Sequence, residues 1–288
     1  MLYGSLIVNK LRVPCSVCDN ALNGKYISVS KKVRIFSRCE ICSHQESLFI
    51  KNEIYNDEYF NLKHRTWFTN PHFTLYEEIS KYISQRDMVL DIGCGVGSFL
   101  KYIEKVSNFN ENSTLDKLID QPQLVGVDFY SKNLSTKYIQ FIQGNIFDND
   151  FGNKKFDFIS CLAVLEEMDD PNRLMSLIFK LGSDTTQVII MTVNSKSLIY
   201  KISWFLYHLG IREPVRKLYD NQNIMHFTKK SLTHLVEKHG FKIKTIIRFK
   251  PNIRSIEGIF YKIAFVLIAC FEKLTSMDTL QAVILERK

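Results

Sequence analysis

Two groups of residues in this chain have types and spacings suited to chemistry. The first is Cys15 and Cys18, followed after 20 residues by Cys39 and Cys42. Paired Cys-x2-Cys units at this separation match a zinc signature. Four thiolates would close a tetrahedral shell with no open position, so such a metal would be structural. The second group is "VLDIGCGVGSFL", residues 89–100. An aspartate, Asp91, ends an apolar run, and glycines follow at 93, 95 and 97. Glycine admits positive φ and lets a ligand approach bare backbone.

The glycine turn excludes some guests. A dinucleotide fingerprint needs glycine at position 98, where Ser98 stands. No Gly-Lys-Ser/Thr follows, so a phosphate-cradling loop is also excluded. What remains is D-x-G-x-G-x-G after a first strand, with an acid, Asp128, ending the second. A carboxylate with two acceptor oxygens suits a vicinal diol such as a ribose.

These residues need elements to hold them. From residue 87 onward, apolar runs alternate with helical patterns. "MVLDI", "LVGVD", "IQFIQ", "FDFISCL", "TQVIIMTV", "KIKTIIRF" and "TLQAVILER" read as seven strands. "GSFLKYIEKV", "NRLMSLIFKL" and "TKKSLTHLVEKHG" read as helices between them. Repeated βα units predict an α/β fold with a mainly parallel, Rossmann-like seven-stranded sheet covered by helices on both faces. A ligand then belongs beyond the C-terminal strand ends. "FTLYEEISKYIS" puts Phe73, Tyr76, Ile79 and Ile83 on one helical face. Short β-type stretches, "KYISVS" and "KVRIF", surround the cysteines. The organisation expected is a zinc ribbon over 1–52, a helical linker over 53–84, and a main domain over 85–288. That domain carries a long aromatic insertion at about 195–227, whose "SWFLYHLG" reads as an acceptor lid or an amphipathic core helix. "SNFNENSTLDKLIDQPQ", 107–123, reads as an inserted loop.

The chain has 288 residues, 45% of them hydrophobic, enough for a full core. Seven cysteines, an odd number with two tight pairs, point to a reducing compartment rather than a disulfide framework. The apolar run at 259–271 contains Lys262 and is shorter than a membrane helix requires. A cytoplasmic protein is expected, with peripheral membrane contact through 198–211 and 256–271 as a further reading. Residues 194–262 hold 14 Lys and Arg against 4 Asp and Glu, an excess suited to an anionic substrate, a membrane or RNA.

Four motifs in order, "VLDIGCGVGSFL", "LVGVDFYSKNL", "GNIFD" and "FDFISCLAVLEEMDDP", resemble those of class I S-adenosylmethionine-dependent methyltransferases. The core is similar to the ubiquinone-biosynthesis O-methyltransferases. With the N-terminal cysteines, the chain also resembles bacterial methyltransferases associated with sugar and glycan synthesis. The resemblance implies S-adenosylmethionine as co-substrate. Asp91 and the backbone of Gly93, Cys94, Gly95 and Gly97 would meet its methionine portion. Asp128 would accept from the ribose hydroxyls, Asn145 would face the adenine amino group, and Phe129 and Ile146 would flank the ring. The family commonly has an acid where Asn145 stands, and a histidine where Glu167 stands.

Methyl transfer from a sulfonium needs positioning first and a base when the acceptor must lose a proton. Glu167 is the candidate base or acceptor-binding carboxylate. His226 and His72 are candidate acceptor contacts near the cavity mouth. The expected acceptor is a small molecule: a sugar, a sugar nucleotide or a lipid-linked intermediate. RNA is the alternative, and a non-catalytic binding module a third reading. No Asn/Asp-Pro-Pro-Tyr/Phe tetrapeptide of base methylation occurs.

Overall fold

The computed structural model describes residues 14–20, 35–48, 71–84, 87–106, 123–130, 135–219, 223–249, 266, 272 and 278–288. The stretch expected at 25–30, residues 53–70 of the expected linker, nearly all of the 107–123 loop, and the apolar run at 259–271 apart from Val266 lie outside these residues.

Seven strands form one sheet. They are β3 (Val89–Ile92), β4 (Leu124–Asp128), β5 (Ile139–Gln143), β6 (Phe156–Leu162), β7 (Gly182–Val193), β9 (Phe241–Ile247) and β10 (Leu280–Arg287). Their order is β5-β4-β3-β6-β7-β10-β9. The pairs β3–β4, β4–β5, β3–β6 and β6–β7 are parallel. β10 runs antiparallel between β7 and β9. β3 is therefore the strand from which the order grows in both directions, and ligands of open α/β sheets lie beyond such a point.

Central strands are buried on both faces, which is why β3 reads as an unbroken apolar run apart from Asp91. Side chains alternate between two cores. Leu90 and Ile92 join one with Val125, Val127, Ile159 and Ile190. Val89 joins the other with Leu124, Phe158, Ile189 and Met191. The edge strand β9 turns Lys242 and Lys244 outward, where both meet Glu286. Charges of this kind discourage further strand pairing.

Helices cover each core. α1 (Phe73–Ser80) and α2 (Ser98–Val106) lie on the Val89 side. α1 buries Leu75 and Ile79, while Phe73, expected on the inner face, is 57% exposed. It contacts the rings of Tyr76 and Tyr102 instead. α3 (Pro171–Leu181) and α6 (Lys229–Lys238) cover the Leu90 side. α3 starts where Asp170 caps the amides of Asn172 and Arg173, with proline at the first turn. In α6, Thr228 and Ser231 cap each other reciprocally. The insertion folds as α4 (Leu198–His208), α5 (Glu213–Leu218) and the two-residue β8 (Met225–His226).

A second sheet forms beside the N-terminal cysteines, with β8 at one edge. β1 (Ile35–Arg38) and β2 (Gln45–Leu48) form a hairpin, and β8 pairs antiparallel with β2. The N-terminal hairpin thus completes its sheet with a strand some 180 residues away in the chain, roughly the separation of Gln45 and His226. The four cysteines share one core with Met225, Phe227 and Leu232.

Candidate functional site

The glycine turn hangs on the end of β4. Gly93 and Cys94 both donate to the carbonyl of Val127, at 2.8 and 3.2 Å. Gly93 and Gly97 have φ of +72° and +73°. A Cβ on Gly93 would lie 2.2 Å from Val164 Cγ2, and one on Gly97 would lie 2.2 Å from Phe141 Cζ. Glycine at both places is thus set by backbone conformation and by close packing. The Gly95 amide points at Asp128 and donates to Oδ2 at 2.8 Å. Tyr130 donates its amide to Oδ1 at 2.9 Å. Each carboxylate oxygen still has acceptor capacity. Burial raises the Asp128 carboxyl above its ordinary value, against the amides of Tyr130, Gly95 and Phe129.

Asp91 is 3% exposed and accepts from the Ser160 hydroxyl at 2.7 Å. Burial pushes its carboxyl up to about 7; the Ser160 bond opposes this and the charge of Asp128 adds to it. A cavity opens beside it, lined by His72 and Tyr76 of the α1 end, by Gly93 and Cys94, and by Leu162 and Met191. Burial holds the His72 ring neutral, with its value lowered to about 4. The Tyr76 phenol is raised by burial and by the Asp91 charge.

The other expected residues fall around this centre. Asn145 caps a short turn, Ile146–Asp148, by accepting from the Phe147 amide at 3.1 Å. Ile146 is buried and Phe129 is 48% exposed. After β6, Ala163 takes a left-handed conformation, φ +60°, and its amide donates to Met191. Non-glycine residues in this region carry strain, and such strain clusters at functional sites. The following turn, Leu165–Glu167, leaves Glu167 half-buried and turns Glu166 into the core at 3% exposure. Burial raises the Glu166 carboxyl to about 8, the nearby Thr192 hydroxyl opposing. Its backbone carbonyl accepts from the Ile224 amide at 2.9 Å.

His226 requires a correction. Expected near the cavity mouth, it is fully buried in β8, with Nε2 3.0 Å from the Ser47 hydroxyl and Nδ1 3.2 Å from the Tyr200 hydroxyl. Its ring joins β8 to β2 and to α4. His72, by contrast, does line the cavity. Sequence reasoning missed Ser160, Ala163 and the burial of Glu166. Ser160 had a signal, being a polar residue inside the apolar "FDFISCL".

The four cysteine sulfurs lie within 4.8 Å of one another, with Cys15–Cys42 at 3.6 Å and Cys18–Cys39 at 3.4 Å. Sulfurs about 2.3 Å from a central zinc sit about 3.8 Å apart at tetrahedral angles, so the cluster fits such an ion. The two cysteine turns repeat each other. The amides of Cys15 and Cys39 donate to Asn20 and His44, and those of Asp19 and Ser43 return to Cys15 and Cys39. Asp19 and Ser43 share positive φ, 60° and 63°. Further bonds tie the cluster to the helices α3 and α6: Asn172 to the Ser16 carbonyl, and Lys238 to Asp19 at 2.7 Å.

Residues 64–246 match the family model of a methyltransferase domain. The chain belongs to that family. The seven-stranded topology described above is the fold of class I S-adenosylmethionine-dependent methyltransferases. One chain of the complex between the Haloferax volcanii Trm112 methyltransferase activator and a methyltransferase shares the fold, with TM-score 0.57 and 10% identity over 80% of this methyltransferase and 96% of that chain. An S-adenosylmethionine-dependent methyltransferase from Archaeoglobus fulgidus gives TM-score 0.50 and 19% identity over 79% and 98%. In sequence, the methyltransferase is 34% identical over 82 residues to ribosomal RNA large subunit methyltransferase E of Brachyspira hyodysenteriae, covering 27% of this chain and 37% of that protein. The match therefore spans little more than a third of that relative's length.

Among the described residues, no helix is long and apolar enough to cross a membrane.

Proposed function

We propose that this enzyme methylates a small-molecule acceptor: a sugar, a sugar nucleotide or a lipid-linked intermediate. The observation that carries the reading is the make-up of the cavity beside Asp91. Apart from Asp91, Gly93 and Cys94, assigned below to the co-substrate, its described lining has a neutral histidine, a tyrosine, a serine and apolar side chains, and contains no Lys or Arg. A site for a polyanion would need cations along the path of the phosphates.

S-adenosylmethionine supplies an electrophilic methyl on a sulfonium centre, and most of the protein's work is positioning. In this reading Asp91 faces the cationic amino end, and the backbone of Gly93, Cys94, Gly95 and Gly97 borders the methionine portion. Asp128, held by backbone amides, offers its remaining lone pairs to the ribose hydroxyls. Asn145 faces the adenine amino group, with Ile146 and Phe129 beside the ring. Glu167 takes the acceptor proton or binds the acceptor. Cys15, Cys18, Cys39 and Cys42 hold a structural zinc ion, which stabilises the hairpin and, through β8, the Ile224–Glu166 contact beneath Glu167. The 1–52 segment acts as a zinc ribbon docked on the 85–288 methyltransferase domain.

The test is transfer of labelled methyl from S-adenosylmethionine to fractionated metabolites and to purified RNA, at low and high salt. A labelled small molecule whose formation resists salt supports the reading. Labelled RNA, with activity falling steeply with salt, overturns it. The likeness to a protein named as a ribosomal RNA methyltransferase favours this second outcome, as does the basic excess of residues 194–262.

A further inference from the structure

We infer that α4 and the turn following it form a docking face for an anionic lipid bilayer. α4, "LIYKISWFLYH", is apolar on both sides. Its inner side is accounted for. Tyr200 stacks edge-on against Tyr219 at 5.4 Å, and Trp204 donates to the Tyr219 hydroxyl at 3.1 Å. Val215 and Leu218 of α5 complete that cluster. The outer side is exposed. Phe205 and Leu209 lie one helical turn apart at 64% and 62% exposure, and Ile211 follows at 52%. A surface helix ordinarily turns polar residues outward, and adjacent exposed large apolar side chains mark an interaction site.

The surrounding charge selects the occupant. Lys196, Lys201, Arg212, Arg216 and Lys217 are all exposed in this segment. Glu213 is its one acid between residues 196 and 219, and it pairs with Arg216 at 3.6 Å. Two copies meeting through this face would oppose like charges. Single-stranded RNA is held by stacking on successive aromatic rings, and of these three exposed side chains only Phe205 has one. Apolar side chains ringed by cations match the interfacial level of an anionic bilayer, where the helix lies in the surface plane. α4 also opens at Leu198, soon after β7 ends at Val193, on the sheet end that carries Asp91 and Asp128. A docked enzyme would present its site close to the membrane. This suits the lipid-linked member of the proposed acceptors, and the inference rests on that reading for the acceptor alone.

The experiment is flotation of the full chain with vesicles of phosphatidylcholine alone and with about a third phosphatidylglycerol, anionic content enough to set a surface potential. The wild type should float with the anionic vesicles and far less with the neutral ones. A Phe205→Ser, Leu209→Ser double variant should lose at least about tenfold in vesicle affinity while binding S-adenosylmethionine as the wild type does, which shows that it has folded. Wild type that stays unbound, or a double variant that floats equally well, overturns the inference. So does a concentration-dependent dimer abolished by the same substitutions. Flotation with methyl transfer confined to water-soluble acceptors would leave docking standing and remove the lipid-linked acceptor.

Discussion

The Gly95 amide reaches Oδ2 of Asp128 at 2.8 Å, tying the turn after β3 to the tip of β4. The acid that the resemblance assigns to a ribose is therefore already oriented by the loop assigned to the methionine portion. Such preorganisation lowers the cost of ordering a ligand. The same tie makes the two strand ends one structural unit, so changes in the turn should reach Asp128.

Gly97→Ala should destabilise the fold. The left-handed backbone costs about 1 to 3 kcal/mol, and pushing against Phe141 adds about 1 to 3 kcal/mol. Gly152→Ala, with φ +58° and nothing within 4 Å of the added carbon, is the control and should carry the backbone cost alone. Urea denaturation compares the two. Equal losses would remove the packing argument for Gly97.

The stability of the ligand-free protein should depend on pH through Asp91. Its carboxyl rises from 3.8 to about 7, chiefly through burial. A raised value in the folded state means a contribution that is complete below about pH 3.8 and lost as pH climbs through about 7. Glu166, raised to about 8, acts with the same sign. Between pH 5 and 8, Asp91→Asn should therefore flatten the fall in stability seen with wild type. Denaturation midpoints across that range give the answer, and parallel curves would contradict it. Tyr76, Cys94 and Cys161 also feel the Asp91 charge, and Asp91 feels that of Asp128, so their effects belong in the fit.

Much of the fold was legible because buried parallel strands are continuous apolar runs. "LVGVD" and "FDFISCL" match β4 and β6 end to end. β7 begins earlier than its apolar core suggests, since polar Gly182–Thr185 lie ahead of "TQVIIMTV"; Gly182 pairs with Phe156 across an irregular register. Long-range pairing was not legible. β8 is two residues long, and nothing near it in sequence announces β2 as its partner. That pairing explains why His226, a histidine among aromatics, looked like a site residue and is a buried joint. Equally, "LEE" does not say which acid faces inward; the left-handed Ala163 and the turn after it decide that.

Elemental analysis should find one zinc per chain. Removing it with a strong chelator, or replacing Cys39 by Ser, should lower the melting temperature by several degrees, because the hairpin shares its core with Phe227 and Met225. Methyl transfer should fall with it through the Ile224–Glu166 contact. Metal-free protein that melts like the untreated protein would contradict the structural role.

Glu167→Gln should slow methyl transfer by about 100-fold or more, the usual scale of a lost general base, with affinity for S-adenosylmethionine unchanged. Glu166→Gln, buried away from solvent, should slow it less. Single-turnover rates separate the two. A reversed ranking would move the acid's role to Glu166.

The most direct test is calorimetric titration of the purified chain with S-adenosylmethionine. The account predicts one site per chain, and affinity weakened by roughly 100-fold or more in Asp128→Ala, since hydrogen bonds to a charged acceptor contribute about 1.5 to 3 kcal/mol each. A wild type that gives no heat, or an Asp128→Ala variant that binds as tightly, would contradict it.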